Sequence, residues 1–174
     1  MAQFARPDSD TSVGNWAASS GSDRYAMIDE TSASDSDYIS VSDSGGSDEA
    51  ITFTLSNVAD PESASDHSVV VRASDDSGMG VVNLNVNLKD GSTSIKNEDF
   101  SLSGSATNKT MTLNATQANN IGDYNDLNLV ITATDQMGMG TTTKVYHAYF
   151  TCPDEGGSGP LPGAMNTYKQ MRND

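Results

Sequence analysis

Strict alternation of apolar and polar residues most limits how this chain can fold. From Val82 to Leu88 every second residue is aliphatic and each residue between them is asparagine. Successive side chains of a β-strand point to opposite faces of a sheet. The run therefore predicts a strand with one buried face and one polar face.

The same alternation returns about every ten to twenty residues, with turns rich in Gly, Asp and Ser between the runs, as in antiparallel sandwiches. We predict an all-β fold, a single antiparallel β-sandwich that is jelly-roll-like, with a loop-rich N-terminal region and a flexible C-terminal arm. The further predicted strands are centred on residues 51–55, 69–73, 100–102, 111–113, 127–131 and 145–150.

A length of 174 residues suits one domain with tails. We expect residues 1–50 to form a loop-rich N-terminal part of the sandwich, 51–153 its main body, and 154–174 a Gly/Pro linker and arm. Met165, Tyr168 and Met171 are spaced at three residues and would share one helix face. The arm would order against a partner through these three, or remain a disordered tail; the sequence leaves both open.

Two shorter patterns complete the local picture. Residues 115–120 are the one stretch that favours a helical turn, which Gly122 would end. Residues 71–80 and 131–140 resemble each other, each with a strand, an Asp-led turn and Gly-Met-Gly. This weak repeat predicts two hairpins of like geometry.

Charge and cysteine content exclude several classes of protein. The net charge is −15 with nine Lys and Arg, which makes nucleic-acid binding improbable because phosphate would be repelled. Cys152 is the sole cysteine, so no intrachain disulfide forms. No apolar stretch reaches membrane-spanning length, and the first residues lack signal-peptide features. We therefore expect no membrane partner, and synthesis in a cytoplasm without export.

The histidines and serines show no catalytic pattern. His67 and His147 have no ligand-like spacing to each other or to Cys152, so a structural role is expected for both. No serine stands in a nucleophile motif, and no phosphate-binding glycine loop is present.

Paired carboxylates are the remaining chemistry-bearing residues: Asp75 with Asp76, Asp123 with Asp126, and Asp35 with Asp37. They lie in Ser- and Gly-rich turns, so we expect solvated side chains, no catalytic residues and no enzyme. No cofactor is predicted, although Asp-rich loops leave a structural Ca²⁺ open.

Four aromatic residues raise the question of carbohydrate binding: Trp16, Tyr25, Tyr38 and Tyr124. Sugars pack on exposed aromatic rings, but most of these residues stand where predicted strands begin or end. We therefore expect core or rim positions for them.

Several segments, in this order, resemble a β-sandwich module common in marine and environmental tailed-phage genomes and prophages. The likeness spans about residues 6–153, while the linker and tail depart from it. The segments that carry it are Arg6-Pro with Gly14-Asn-Trp16, Tyr25-Ala-Met-Ile-Asp-Glu30, Asp35-Ser-Asp-Tyr-Ile39, Val70-Val-Arg-Ala73, Leu113-Asn-Ala-Thr-Gln-Ala118 and Tyr124-Asn-Asp-Leu-Asn-Leu129.

Members of that family are usually virion structural proteins, and the resemblance supplies no catalytic residue. It implies a capsid decoration or cement protein on the virion surface. Its partners would be the major capsid protein and neighbouring copies of itself, as a homo-oligomer on the particle. The alternative is a tail-fibre or carbohydrate-binding β-sandwich module that mediates glycan attachment, which predicts a row of exposed aromatic residues on one sheet.

Overall fold

The computed structural model describes residues 1–43, 47–77 and 82–155, and the regular secondary structure of this part of the chain is almost entirely β-strand. A 3-10 turn (Tyr25–Met27) and one helical turn, α1 (Ala115–Ala118), interrupt it. The strands are β1 (Ala2–Ala5), β2 (Pro7–Ser12), β3 (Ala17–Ala18), β4 (Ile39–Asp43), β5 (Glu49–Leu55), β6 (Ser68–Asp75), β7 (Val82–Asp90), β8 (Thr93–Ser101), β9 (Thr107–Thr112), β10 (Leu127–Asp135) and β11 (Thr141–Pro153).

The strands form two antiparallel sheets that face each other across one core. The six-stranded sheet has the order β3-β4-β11-β6-β9, with β1 also paired to β11, and the five-stranded sheet has the order β2-β5-β10-β7-β8. Eight strands, β4 to β11, form the two four-stranded halves of a jelly roll, β4-β11-β6-β9 and β5-β10-β7-β8. The predicted all-β, jelly-roll-like sandwich is confirmed.

Alternating burial explains why these residues form these strands. In β7 the four aliphatic side chains are at most 1% exposed, while the asparagines between them face outward and are partly exposed. β10 shows the same strict pattern. Removing the aliphatic faces of both sheets from water supplies the main driving force for folding.

The N-terminal region contains strands that the sequence pattern did not reveal. β1 pairs with the last residues of β11, from Ala2 opposite Pro153 to Ala5 opposite Phe150. β2 pairs irregularly with β5, and most of its side chains are exposed. These strands bury few side chains, so they lack the alternation that identifies a strand in sequence. β8 likewise begins at Thr93, well before the predicted 100–102.

The two predicted hairpins are wrong. β6 and β7 lie in different sheets, and so do β10 and β11. Each Asp-led segment therefore carries the chain from one sheet to the other. Both crossings lie at one end of the sandwich, where the Asp76 backbone N–H donates to the Thr142 carbonyl at 3.1 Å. The repeat reflects two like crossovers, because a jelly roll places most consecutive strands in opposite sheets.

Asp135 organises the second crossover. Its carboxylate is buried and accepts backbone N–H bonds from Met137, Gly138, Met139 and Thr141 at 2.9–3.1 Å. These N–H groups, that of Thr141 foremost, hold the pKa of Asp135 below its ordinary value despite burial. The carboxylate thus accepts the backbone N–H groups of a loop that pairs with no strand. The Met137 and Met139 side chains of this loop are exposed.

We expect Asp135→Asn to lower the urea midpoint of unfolding at pH 7, because one amide oxygen cannot accept all four N–H bonds. A carboxyl whose folded-state pKa is depressed stabilises the fold fully above its unfolded pKa of about 3.9. That stabilisation is lost as pH falls through the lower folded-state value. Urea unfolding at pH 7 and at steps below pH 4 should show wild type and variant converging in acid.

Asp8→Asn is the matched control, since Asp8 is exposed on the edge strand β2. Equal midpoints for Asp135→Asn and wild type at pH 7 would contradict the role of this carboxylate.

Candidate functional site

The outer face of the six-stranded sheet carries most of the aromatic side chains that reach the surface. Val145, Ala148, Phe150 and Cys152 of β11 point into the core. The side chains between them therefore point away from it. A register shift between Val145 and His147 places two consecutive side chains, Tyr146 and His147, outside the core while Val145 and Ala148 both point into it.

We call this surface the aromatic face, made of Phe4, Tyr38, Tyr146, His147 and Tyr149. Phe4 of β1 meets Tyr149 edge-on with ring centroids 5.5 Å apart, and Tyr38 meets Tyr146 in the same way at 5.8 Å. The His147 ring lies 5.1 Å from that of Tyr149. Phe4 is 44% exposed, whereas Tyr146 and His147 are largely covered. Neighbouring rings therefore hold each other in place, and Phe4 on β1 is the most exposed of them.

Cationic side chains stand over two of these rings. The Arg6 guanidinium carbon lies 5.3 Å from the Phe4 ring centroid, and Lys144 Nζ lies 4.6 Å from that of Tyr38. Arg72, also on this face, forms a bidentate pair with Asp35 at 2.7 Å for both bonds. The hydrogen bond from Arg72 lowers the pKa of the Asp35 carboxyl. Aromatic surface and positive charge therefore occur together here.

His147 adds no positive charge to this surface at neutral pH. Its Nε2 lies 2.7 Å from the Glu30 carbonyl oxygen, which can only accept, so Nε2 carries the proton. Burial lowers the pKa of His147 from its ordinary value, with a smaller contribution from Arg6 and Arg72. The imidazole is a neutral link between β11 and the segment that follows Ile28, as expected from its structural role.

The outer face of the five-stranded sheet has a different character. Asn83, Asn85, Asp99, Thr132 and Thr134, with Asp48 at the rim, line a depression of about 280 Å³. Asn85 Nδ2 donates to Asp99 at 2.7 Å, and Thr134 Oγ1 donates to Asp48 at 2.6 Å. Several of the polar side chains in this depression are therefore already hydrogen-bonded to one another.

A second concave surface lies at one end of the sandwich, between the segments that precede β6 and β10. It is a cleft of about 460 Å³ between residues 57–60 and 122–125, with Gln3 at its side. Gln3 is fully engaged, since its amide bonds to Ala59 and Pro153. The Tyr124 side chain beneath the cleft points into the core.

Tyr124 and His67 form a buried polar pair. His67 Nδ1 lies 2.8 Å from the Ser65 carbonyl, so it donates there, and Nε2 accepts from the Tyr124 hydroxyl at 2.8 Å. Burial raises the pKa of Tyr124 to about 12. Both rings pack against Phe150. The pair holds the 57–67 segment to the core, which agrees with the expected structural role of His67.

The aromatic residues considered from the sequence divide between core and surface. Trp16 and Tyr124 are buried, and Trp16 Nε1 donates to the Glu49 carbonyl at 3.0 Å. Tyr25 packs against the core, while Tyr38 belongs to the aromatic face. Phe4 and Tyr149, which sequence reasoning missed, complete the row. Their signal was the Tyr- and His-rich composition of β11, but β1 was not recognised as a strand.

The carboxylate pairs do not share one environment. Asp75 is buried and accepts from Ser77 Oγ at 2.7 Å, so the expectation that it is solvated was wrong. Its position at the inward-facing end of β6 explains the burial. Asp76 accepts from the Thr142 N–H, and Asp123 accepts from the Asn125 N–H. These are structural turn contacts.

Metal and membrane signals are absent from the described ranges. Within residues 1–43, 47–77 and 82–155, no group of three or more His, Cys, Asp and Glu side chains is placed to hold a metal ion. None of the helices in those ranges has the length and apolarity needed to cross a bilayer. Cys152 is buried, and burial raises the pKa of its thiol to about 11.

The predicted partner-binding residues of the arm, Met165, Tyr168 and Met171, lie outside the described residues. The arm therefore stays a prediction. The Gly-Met-Gly segment at 78–80 also falls outside them.

No protein-family model and no curated protein matches the chain. Among solved structures, the module TmCBM61 in complex with β-1,4-galactotriose is 8% identical with a TM-score of 0.44, over 67% of this chain and 71% of its own. The CBM36-1 domain of a multidomain xylanase from the hindgut metagenome of Trinervitermes trinervoides is 13% identical with a TM-score of 0.40, over 91% and 99%.

The glycoside hydrolase domain of Endo-D from Streptococcus pneumoniae R6 is 12% identical with a TM-score of 0.43, over 89% of this chain and 22% of its own. Identities and TM-scores at this level say nothing about the ligand or activity of this chain.

We expect Tyr124→Phe to destabilise the fold by about 1–3 kcal/mol at pH 7, because it leaves the buried Nε2 of His67 without a donor. The pH dependence should also change. An unfolded tyrosine ionises near pH 10 and folded Tyr124 near 12, so wild type loses stability as pH rises from about 10 to 12. Urea unfolding between pH 7 and 12 should show a smaller alkaline loss in the variant.

The control is Tyr25→Phe, since the Tyr25 hydroxyl makes no hydrogen bond within the described residues. An unchanged stability of Tyr124→Phe at pH 7 would refute the bond assigned to His67.

Proposed function

We propose that this chain is a non-catalytic, glycan-binding β-sandwich module and that the aromatic face is its binding surface. The observation that carries the proposal is the row from Phe4 and Tyr149 to Tyr38 along one sheet, flanked by Arg6 and Lys144. Jelly rolls are a frequent architecture of lectin domains and of viral capsid proteins.

The chemistry of a sugar chain matches such a surface. One side of a pyranose ring presents C–H groups that pack against an aromatic side chain, while its hydroxyls bond to polar groups. Phe4 offers the apolar surface, and the Tyr149 and Tyr38 rings combine an apolar body with a hydroxyl. Arg6 and Lys144 supply donors at the two ends of the row. Because the rings are held by edge-on contacts and by β11, little side-chain freedom is lost on binding.

The depression on the five-stranded sheet and the cleft at the end of the sandwich support this function less well. The depression on the five-stranded sheet lacks an aromatic lining residue, and its Asn85, Asp99, Thr134 and Asp48 side chains already bond to each other. The cleft between residues 57–60 and 122–125 is lined by Gln3, whose amide is fully used, and its one aromatic residue, Tyr124, is buried. Neither surface presents an exposed aromatic ring.

The test is binding of the whole chain to a printed array of bacterial and plant polysaccharides, followed by titration calorimetry on the glycans that are retained. We expect Phe4→Ala to weaken binding about tenfold or more, since it removes the most accessible ring. The fold should tolerate this change because Phe4 is 44% exposed.

The matched control is Asn83→Ala on the outer face of the five-stranded sheet, which should leave binding unchanged. Loss of binding in Asn83→Ala with retention in Phe4→Ala would move the site to the other sheet. Absence of retention on any glycan would refute the function.

A second candidate is a decoration protein on a tailed-phage capsid, with the major capsid protein as partner. The resemblance of residues 6–153 to virion modules favours it, and so does the net charge of −15, which would keep particles apart in solution. On a capsid the aromatic face would serve as the docking surface, since aromatic residues and Arg are enriched at protein interfaces.

Quantitative mass spectrometry of purified virions tests this candidate. Copies in the hundreds, at a simple ratio to the major capsid protein, are expected for decoration. About three to two dozen copies would instead indicate the tail apparatus and support glycan attachment, as expected for fibres in small rotational symmetries. Absence from the particle would reject the virion location.

A further inference from the structure

We propose that the glycan taken by the aromatic face is a carboxylated polysaccharide, a chain of uronic acid residues. This inference rests on the proposed function and names its ligand class. It is carried by two separate pairs of one cation and one aromatic ring on the same sheet, Arg6 with Phe4 and Lys144 with Tyr38.

The distribution of positive charge is the first step. The chain has nine Lys and Arg against 24 Asp and Glu, and Lys169 and Arg172 lie outside the described residues. Of the seven cations that remain, three belong to the aromatic face: Arg6, Arg72 and Lys144. A protein of strongly negative charge thus gathers a large share of its scarce positive charge on one surface.

The second step is that two of these cations are not neutralised. Arg72 is paired with Asp35, but within the described residues no carboxylate oxygen lies within 4.0 Å of the Arg6 or Lys144 charged nitrogens. Each is instead positioned over an aromatic ring. A cation–π contact orients the charge without cancelling it, so both remain able to bind an incoming carboxylate.

The third step is their separation. Arg6 and Phe4 lie beside Tyr149, while Lys144 lies further along β11. Because Tyr149 and Lys144 pair with Val70 and Ser74, four residues apart on β6, their backbones are about 13 Å apart at about 3.3 Å per residue. One acidic sugar cannot reach both positions. A polymer with a carboxylate on each residue can, and it would lie along the aromatic row between them. The Glu30 carbonyl accepts from both Arg6 Nε and the neutral His147, so Arg6 and Lys144 are the charged contacts along this row.

Charge limits where such a ligand can bind. The net charge of −15 repels a polyanion in general, and on this face Asp35 is matched by Arg72, so Arg6 and Lys144 are the contacts that would attract it and binding would be weakened by salt. The same repulsion argues against a nucleic acid, whose phosphates carry a higher charge density.

Calorimetry with polygalacturonate and with its methyl ester tests the inference, because the two polymers share a backbone and differ in the carboxylate charge. We expect the wild-type chain to bind polygalacturonate at least tenfold more tightly, with the difference shrinking between 50 mM and 500 mM salt, as about a threefold shorter Debye length requires. Lys144→Gln and Arg6→Gln should each weaken polygalacturonate binding about tenfold and change methyl-ester binding much less, because glutamine keeps an N–H donor but removes the charge.

The control is Lys89→Gln, a cation of β7 on the other sheet, which should bind like wild type. Arg6 also donates Nε to the Glu30 carbonyl, so its variant is checked by thermal unfolding. The Lys144 side chain makes no hydrogen bond within the described residues. If Arg6→Gln unfolds, Lys144→Gln alone therefore tests the inference.

The outcomes separate this inference from the proposed function. Equal binding of both polymers, or array binding confined to neutral glycans, would overturn the carboxylate assignment and leave glycan binding standing. Failure to bind any polymer would overturn both. Equally tight binding of poly-glutamate would overturn the glycan class in favour of an acidic protein surface. Loss of binding in Lys89→Gln but not in Lys144→Gln would overturn the site.

Discussion

Strand β11 is the element on which the rest of the structure depends. It pairs along one edge with β6, and along the other with β4 and then β1, so the two ends of the chain meet on it. Between β4 and β1 the Ala148 N–H donates to the Ile28 carbonyl, which fills the gap in the ladder. The strand is thus bonded along both edges over most of its thirteen residues, with one irregularity toward β6 between Val145 and His147.

This arrangement links the core to the surface proposed for binding. Val145, Ala148, Phe150 and Cys152 point inward and fix the strand against the other sheet, and the neighbouring side chains of Lys144 and Tyr149 therefore point outward. The Tyr149 ring is consequently placed beside Phe4, and Lys144 beside Tyr38. Rigidity of the aromatic face comes from the same pairing that closes the sandwich, which is why its rings can be ordered before a ligand arrives.

Charge gives the molecule its second organising feature. Most acidic side chains lie in turns and crossovers, and some of them accept hydrogen bonds from backbone N–H groups there. Asp135 is the clearest example, with four backbone N–H donors on one carboxylate. Among the described residues, Arg72 and Lys96 are paired with Asp35 and Glu98, whereas no carboxylate oxygen lies within 4.0 Å of the Arg6 or Lys144 charged nitrogens.

Local pattern determined the all-β class and the position of the strands whose two faces differ, such as β7 and β10, because burial of one face imposes a period of two on the residues. It also located the turn at 115–118, where Asn114 and Gln117 form a capping box. Only the tertiary structure decided that the Asp-led repeats cross between sheets, that β1 to β3 are strands, and that Phe4, Tyr38 and Tyr149 share a face. Those features depend on which strands pair across more than a hundred residues, and nothing in a short window of sequence encodes that choice.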